Sequence, residues 1–150
     1  FKSFFTKELQ DRAAKMNLSV GQAVTLASII EKEAVSPEER PIIAGVFINR
    51  LKKNIRLQSC ASVIYATGIK KERLTLKDLQ IESKYNTYKY KGLPPGPICN
   101  PGRECITAAL YPAVTDNLFF VSKGNGTHQF SNTFEQHKKN KIVYKKKATK

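Results

Sequence analysis

The chain has 150 residues, 41% of them hydrophobic, which suits one domain with a real core and excludes a disordered chain. Its formal charge of +14, from 26 Lys and Arg against 12 Asp and Glu, favours a polyanionic partner: nucleic acid, anionic lipid or an acidic cell-wall polymer. No apolar run reaches the roughly 18 residues of a membrane-spanning helix, and the first residues lack the pattern of a signal peptide.

Taken in order, the first stretch already reads as an amphipathic helix within residues 1–18, with Phe4, Phe5, Leu9, Ala13 and Met16 at helical spacing. An opening inside a helix, at Phe1 and not at Met, is expected of a piece cut from a longer protein. Ser19-Val20-Gly21-Gln22 is a capping box, and a helix follows from about Val20 to Ala34. Ser36-Pro37-Glu38-Glu39 reads as a second box ahead of a helix carrying Ile42, Ile43, Val46, Phe47, Arg50 and Leu51. A short helix from about Ala61 stops at Gly68, and Thr75-Leu76-Lys77-Asp78 opens another helical turn. From Ile81 to Gly102, Tyr, Pro and Gly residues exclude regular helix; so long an irregular segment, rich in aromatics, is expected to be ordered and functional. A helix from about Pro101 to Leu110 comes next. Leu118 to Ser122 and Thr127 to Phe130 form a hairpin around Lys123-Gly124-Asn125-Gly126, and Asn132-Thr133-Phe134-Glu135 caps a last helix. The fold class is α+β: a mostly helical domain with a small antiparallel hairpin and a long Tyr/Pro/Gly-rich loop. The domain is expected to span residues 1–144, with 145–150 a disordered basic tail.

The helix from Val20 to Ala34 is nearly apolar all round. At about 100° per residue, Val20, Ala23, Val24, Ala27, Ile30 and Ala34 form its main arc, with Glu31 inside it. Glu33 falls beside Leu26 and Ile29 on a narrower apolar patch, and only Thr25, Ser28 and Lys32 make a polar strip. A carboxylate on an apolar face is either paired with a cation or raised in pKa, and the second state suits a general acid. Arg40 and Arg50 on the next helix are the candidate partners. Periodicity does not say which glutamate is structural and which is chemical; it even makes Glu31 the deeper one. In the irregular segment, Tyr85, Tyr88 and Tyr90 offer flat faces with polar edges, while Asn86 and Gln58 carry donors and acceptors suited to sugar hydroxyl and acetamido groups. His128, beside the hairpin turn, is either a substrate contact or a surface and packing residue, and His137 reads as surface. Cys60, Cys99 and Cys105 lack metal-ligand spacing and are either three thiols or one disulfide and one thiol.

Several stretches in order resemble the MltG/YceG-like family of endolytic murein transglycosylases. They include Ile29-Ile30-Glu31-Lys32-Glu33, Glu39-Arg40, Val46-Phe47-Ile48-Asn49-Arg50-Leu51, Leu57-Gln58 and Tyr85-Asn86-Thr87-Tyr88. Gly92-Leu93-Pro94-Pro95-Gly96-Pro97-Ile98, Asn100-Pro101-Gly102, Leu118-Phe119-Phe120-Val121 and Gly124 to Ser131, with His128 inside, are among the others, and the likeness covers about Val20 to Asn140. The resemblance implies that the second glutamate of Glu-Lys-Glu, Glu33, is catalytic, and that Glu31 is structural, with Arg50 as its partner. It implies Gln58, Tyr85, Asn86, Tyr88 and His128 as substrate contacts, with Arg40 and Arg50 structural near the site. It further implies cleavage of the MurNAc–GlcNAc bond of peptidoglycan glycan strands to 1,6-anhydroMurNAc ends, with no metal or cofactor. The upstream membrane helix and LysM-like region usual in the family are not in this sequence. By that resemblance the enzyme is expected on the outer face of the bacterial cytoplasmic membrane, as a monomer, among cell-wall synthesis proteins. Many members read Thr-Asp-Pro-Thr after Gln58, where this chain reads Ser59-Cys60-Ala61-Ser62. With Cys60 in the place of that Asp and Cys99 in the Pro-Gly loop, a Cys60–Cys99 disulfide is the hypothesis.

Two rival readings stand beside this one. A non-catalytic glycan-binding module would use the same cleft without turnover. A nucleic-acid binder is suggested by charge alone; the lysines crowd at the C-terminus and no nucleic-acid-binding motif appears, so no nucleic-acid partner is expected.

Overall fold

The computed structural model describes residues 5–68 and 74–148. The order of elements is α1 (Lys7–Lys15), α2 (Val20–Glu33), α3 (Arg40–Lys52), α4 (Cys60–Thr67), α5 (Arg103–Leu110), β1 (Phe119–Ser122), β2 (His128–Ser131) and α6 (Phe134–Ala148), with single 3₁₀ turns at Pro37–Glu39 and Asp78–Gln80. The α+β class expected from sequence is the class observed.

Local chemistry explains most of the boundaries. Ser19 and Gln22 form the reciprocal capping box that starts α2. Gly68 ends α4 at φ 70°, a left-handed conformation natural to glycine. Thr75 and Asp78 exchange side chain–backbone hydrogen bonds at 2.8 and 3.1 Å, and a 3₁₀ turn follows. The Thr133 hydroxyl accepts from the Gln136 N–H and caps α6. The box expected at Ser36 does not form: its hydroxyl bonds to Glu38, and Glu39 turns inward to other work. Nor does α6 end at residue 144; it runs to Ala148, because lysine is a good helix former and no breaker interrupts the run.

Helix α2 packs against α1, α3, α4 and α5. Its Leu26, Ala27, Ile29 and Ile30 meet Ile43, Ala44 and Phe47 of α3 and Ile106, Ala109 and Leu110 of α5 in one buried cluster. Each large aliphatic in it contributes about 1.5–3 kcal/mol by leaving water. Of the polar strip of α2, Lys32 is exposed while Thr25 and Ser28 are buried too. Thr25 bonds to the Gly21 carbonyl, and the Ser28 hydroxyl donates to Thr25 O and accepts from Ile98 N–H. Ser28 thereby fastens the Pro-Gly loop against the helix. The hairpin pairs antiparallel, Phe119 opposite Ser131 and Ser122 opposite His128, and lies against α3 and α6. Phe120 meets Phe47 edge to face at 5.7 Å. Among the described residues no helix is long and apolar enough to cross a membrane.

Candidate active site

Glu33 is the last residue of α2, and its carboxyl points at the start of α4. Ser59, the N-cap of α4, donates its hydroxyl to Glu33 Oε1 at 2.8 Å, and the Ala61 N–H approaches the same oxygen at 3.4 Å. Both contacts fall on Oε1; Oε2 has no partner among the described residues. Burial raises the carboxyl's pKa above the ordinary range, while the Ser59 hydroxyl, the Ala61 N–H and the charge of His128 act against it. The raised pKa favours the protonated form, and the free Oε2 is the oxygen available to deliver the proton.

Ser59 is itself locked. Its N–H donates to Thr87 Oγ1 at 2.8 Å, the Thr87 and Ser62 hydroxyls meet at 2.8 Å, and the Gln58 N–H donates to Thr87 O. Gln58, just before the cap, takes φ 53°, unusual for a residue with a side chain and a mark of local strain beside the site. The 85–88 segment is thus the clamp that sets the α4 N-terminus against Glu33.

Glu31 makes the parallel contact with a different helix. Its Oε1 accepts the N–H of Gly102, the N-cap of α5, at 2.8 Å. A carboxylate there is held by the partial positive charge of the helix start. The two glutamates of α2 therefore face two helix N-termini. Glu31 ties α2 to α5, and Glu33 opens into a cleft.

That cleft has a volume of about 270 Å³ and is lined by Glu33, Arg50, Gln58, Cys60, Tyr88, residues 118–121, His137 and Lys141. Glu33 is its single carboxylate. A larger groove of about 890 Å³ runs between α1, the 92–95 loop and residues 112–115 and has no carboxylate in its lining, so it offers no acid for the same chemistry.

Sequence comparison assigns this arrangement to a family. The sequence model described as the YceG-like family matches residues 1–142. The chain belongs to the YceG-like family. It is 45% identical over 140 residues to the endolytic murein transglycosylase of Bacillus subtilis (strain 168), covering 93% of this chain and 39% of that protein. It is 38% identical over 130 residues to the endolytic murein transglycosylase of Streptococcus pneumoniae R6, covering 83% of this chain and 24% of that protein. The 2.6 Å crystal structure of a YceG-like protein of Listeria monocytogenes is 47% identical and superposes with a TM-score of 0.81, over 89% of this chain and 43% of that one. The chain thus spans between about a quarter and two fifths of the length of the curated relatives it matches.

Within this YceG-like domain, Gln58 and Tyr88 line the cleft with Glu33. Tyr88's hydroxyl meets Cys60 Sγ at 3.3 Å, and its pKa is raised, chiefly by burial. Asn86 is not part of the cleft lining. It is fully buried; its amide donates to Leu79 O and Ile81 O and its carbonyl accepts from Tyr88 N–H, leaving nothing for a sugar. Tyr85 stays out of the cleft lining and packs on Tyr65 with ring centroids 4.9 Å apart. His128 is neither surface nor cleft lining. It is buried, its Nδ1–H donates to Glu39 Oε1 at 2.8 Å and its backbone N–H donates to Glu39 Oε2 at 2.9 Å. It exerts the smallest of the influences that oppose burial at the Glu33 carboxyl.

The expected Glu31–Arg50 pair is absent, because Gly102 takes Glu31 and Arg50 donates to the Leu118 and Arg56 carbonyls. Arg40 begins α3 and pairs with neither glutamate among the described residues. The proposed disulfide is also corrected: all three cysteines are free. Cys60 Sγ turns to Tyr88, Cys99 Sγ donates to the Ser28 carbonyl, and Cys105 is buried beside Glu31, its thiol pushed up to about 11, mainly by burial. Sequence reasoning missed Ser59, Thr87, Glu39, His137 and Lys141 as parts of the site. Ser59 carried a local signal, a Ser-x-x-Ser cap ahead of an apolar run, and Glu39 and Thr87 lay within the family-like stretches.

Proposed function

We propose that this domain is the catalytic domain of a lytic transglycosylase that cuts the MurNAc–GlcNAc bond of peptidoglycan strands outside the cytoplasmic membrane. The observation that carries the reading is a lone, desolvated carboxyl in the cleft, held by one oxygen and free at the other. Hydrolysing glycosidases commonly use two carboxylates, one for the leaving oxygen and one for water or a covalent intermediate. One suffices when the sugar supplies its own nucleophile. Protonated Glu33 donates from Oε2 to the glycosidic oxygen, and positive charge develops at the muramic C1. The Glu33 carboxylate, now stabilised by Ser59 and Ala61, takes the proton of the same sugar's C6 hydroxyl. That oxygen closes on C1 to form the 1,6-anhydro ring, water is not consumed, and Glu33 is again protonated. General acid and base assistance of this kind contributes roughly 10²- to 10⁴-fold. The names of the B. subtilis and S. pneumoniae relatives, both endolytic murein transglycosylases, support the substrate and reaction class.

The test is mass spectrometry of purified glycan strands incubated with the parent protein and with Glu33→Gln. Anhydro-ended fragments from the parent and none from the variant are expected. Fragments heavier by one water would make the enzyme a hydrolase, and binding without cleavage would make it a glycan-binding module.

A further inference from the structure

The wall of the cleft formed by α3 and α6 has no part in the proton transfers above. Arg50 is only 6% exposed. Its Nε donates to Leu118 O and its Nη1 to Arg56 O, both at 2.6 Å; Nη2 has no hydrogen-bond partner, and no carboxylate pairs with the guanidinium among the described residues. Two carbonyls orient the group without neutralising it. Burial accordingly lowers its pKa. A buried charge is normally matched by an opposite one, so a guanidinium left unmatched on a cleft wall calls for an anion from outside.

Two further groups converge there. The His137 ring lies flat on Phe119, centroids 4.8 Å apart and planes at 21°, and the Arg50 guanidinium sits 5.0 Å from the same Phe119 centroid. His137 Nδ1 is buried and has no hydrogen-bond partner among the described residues. Burial, then the neighbouring Lys141 and Arg50 charges, lower the His137 pKa. Lys141, exposed at the rim, follows His137 by one turn of α6. The single acid in the lining is Glu33, whose carboxyl burial pushes toward the neutral form.

We infer that Arg50, His137 and Lys141 form a subsite for a carboxylate of the muramyl unit, set beside Glu33. The inference rests on the reading of the cleft as a muramyl-glycan site. The carboxylate has two chemical sources: the lactyl group of a muramyl residue that carries no peptide, or the stem peptide of one that does. Either supplies the anion that Arg50 lacks and an acceptor within reach of a protonated His137. Either also adds negative charge near Glu33, which holds the Glu33 proton in place until transfer.

The probe is N-acetylmuramic acid against its methyl ester, titrated into the Glu33→Gln protein by NMR. The acid binds about 10-fold more tightly than the ester, the worth of one hydrogen bond to a charged group, and its binding raises the His137 pKa. Lys141→Gln weakens the acid about 3-fold, as a rim charge should, and leaves the ester unchanged. Lys139→Gln removes a charge from the same helix outside the lining and leaves both unchanged. Equal affinity for acid and ester, or equal effects of the two lysine substitutions, overturns the subsite. His137→Gln guards against misfolding of any Arg50 variant, since it leaves the Arg50 carbonyl contacts intact, and it weakens the acid alone. Strands with and without stem peptides then assign the source: the form whose binding suffers more from Lys141→Gln carries the bound carboxylate. Discrimination of acid from ester by a protein that yields no anhydro products would keep this subsite and sink the transglycosylase reading. Anhydro products without that discrimination would do the reverse.

Discussion

At Glu33 two opposing effects meet on one carboxyl. Burial raises its pKa, and the Ser59 hydroxyl is the largest influence in the other direction. The proposed reaction needs the protonated form first, so activity is expected to fall as pH rises through the raised Glu33 value, and that limb appears in kcat/KM. Ser59→Ala removes a group that lowers the pKa, so the alkaline limb moves to higher pH. The same change takes a donor from the carboxylate that is the proposed base, and a hydrogen bond to a charged group is worth about 1.5–3 kcal/mol, roughly 10-fold or more in rate. Ser59→Thr keeps the hydroxyl and leaves the limb where it is. A slower Ser59→Ala enzyme with an unmoved limb would reduce Ser59 to a helix cap. The partners of Ser59 could not be read along the chain: it meets Glu33 across 26 residues and Thr87 across 28. Gln58 and Tyr88 were legible as polar and aromatic residues near a cleft, but Asn86 has the same donors and acceptors as Gln58 and spends them all on backbone. Composition cannot distinguish an amide that offers its hydrogen bonds from one that has used them.

At the scale of elements, the site depends on how closely α3 approaches the 112–115 segment. A Cβ on Gly45 would sit 2.7 Å from the Ala113 carbonyl oxygen and 3.0 Å from Thr115 Cγ2. The nearer atom is backbone, and Ala113 is tied to Pro41 by its own N–H. Alanine normally improves a helix by about 0.8–1.0 kcal/mol over glycine, whereas overpacking costs about 1–3 kcal/mol. The clash wins, so Gly45→Ala lowers the melting temperature by several degrees, read by calorimetry. A rise in Tm would mean that the contact yields. Because α3 also carries Arg50 and Asn49, whose amide holds the Thr115 and Asn117 carbonyls, the same segment leads into the strand that lines the cleft.

Over the whole molecule, the site is held at some expense of stability. A carboxyl whose folded pKa is raised contributes its full stability below the unfolded value, and that contribution is lost as pH rises through the folded value. Each unit of upward displacement is worth about 1.4 kcal/mol. Glu33→Gln escapes this loss. Urea unfolding at about pH 4 and about pH 8, on either side of the ordinary carboxylate range, should show the variant gaining on the parent at the higher pH. An unchanged difference would mean that Glu33 ionises as freely in the fold as out of it.

The sequence by itself determined the helices, the hairpin and the α+β class, because capping boxes, the Gly68 stop and apolar periodicity act between residues three or four positions apart. Its ordered motifs also identified the family and made Glu33 the candidate acid. Only the tertiary structure decided the company each residue keeps. Glu31 closes on Gly102 across 71 residues, His128 on Glu39 across 89, and Arg50 on Leu118 across 68. Such contacts follow from how the helices pack, and packing is selected by the total apolar surface buried, a sum over the chain that no local pattern encodes.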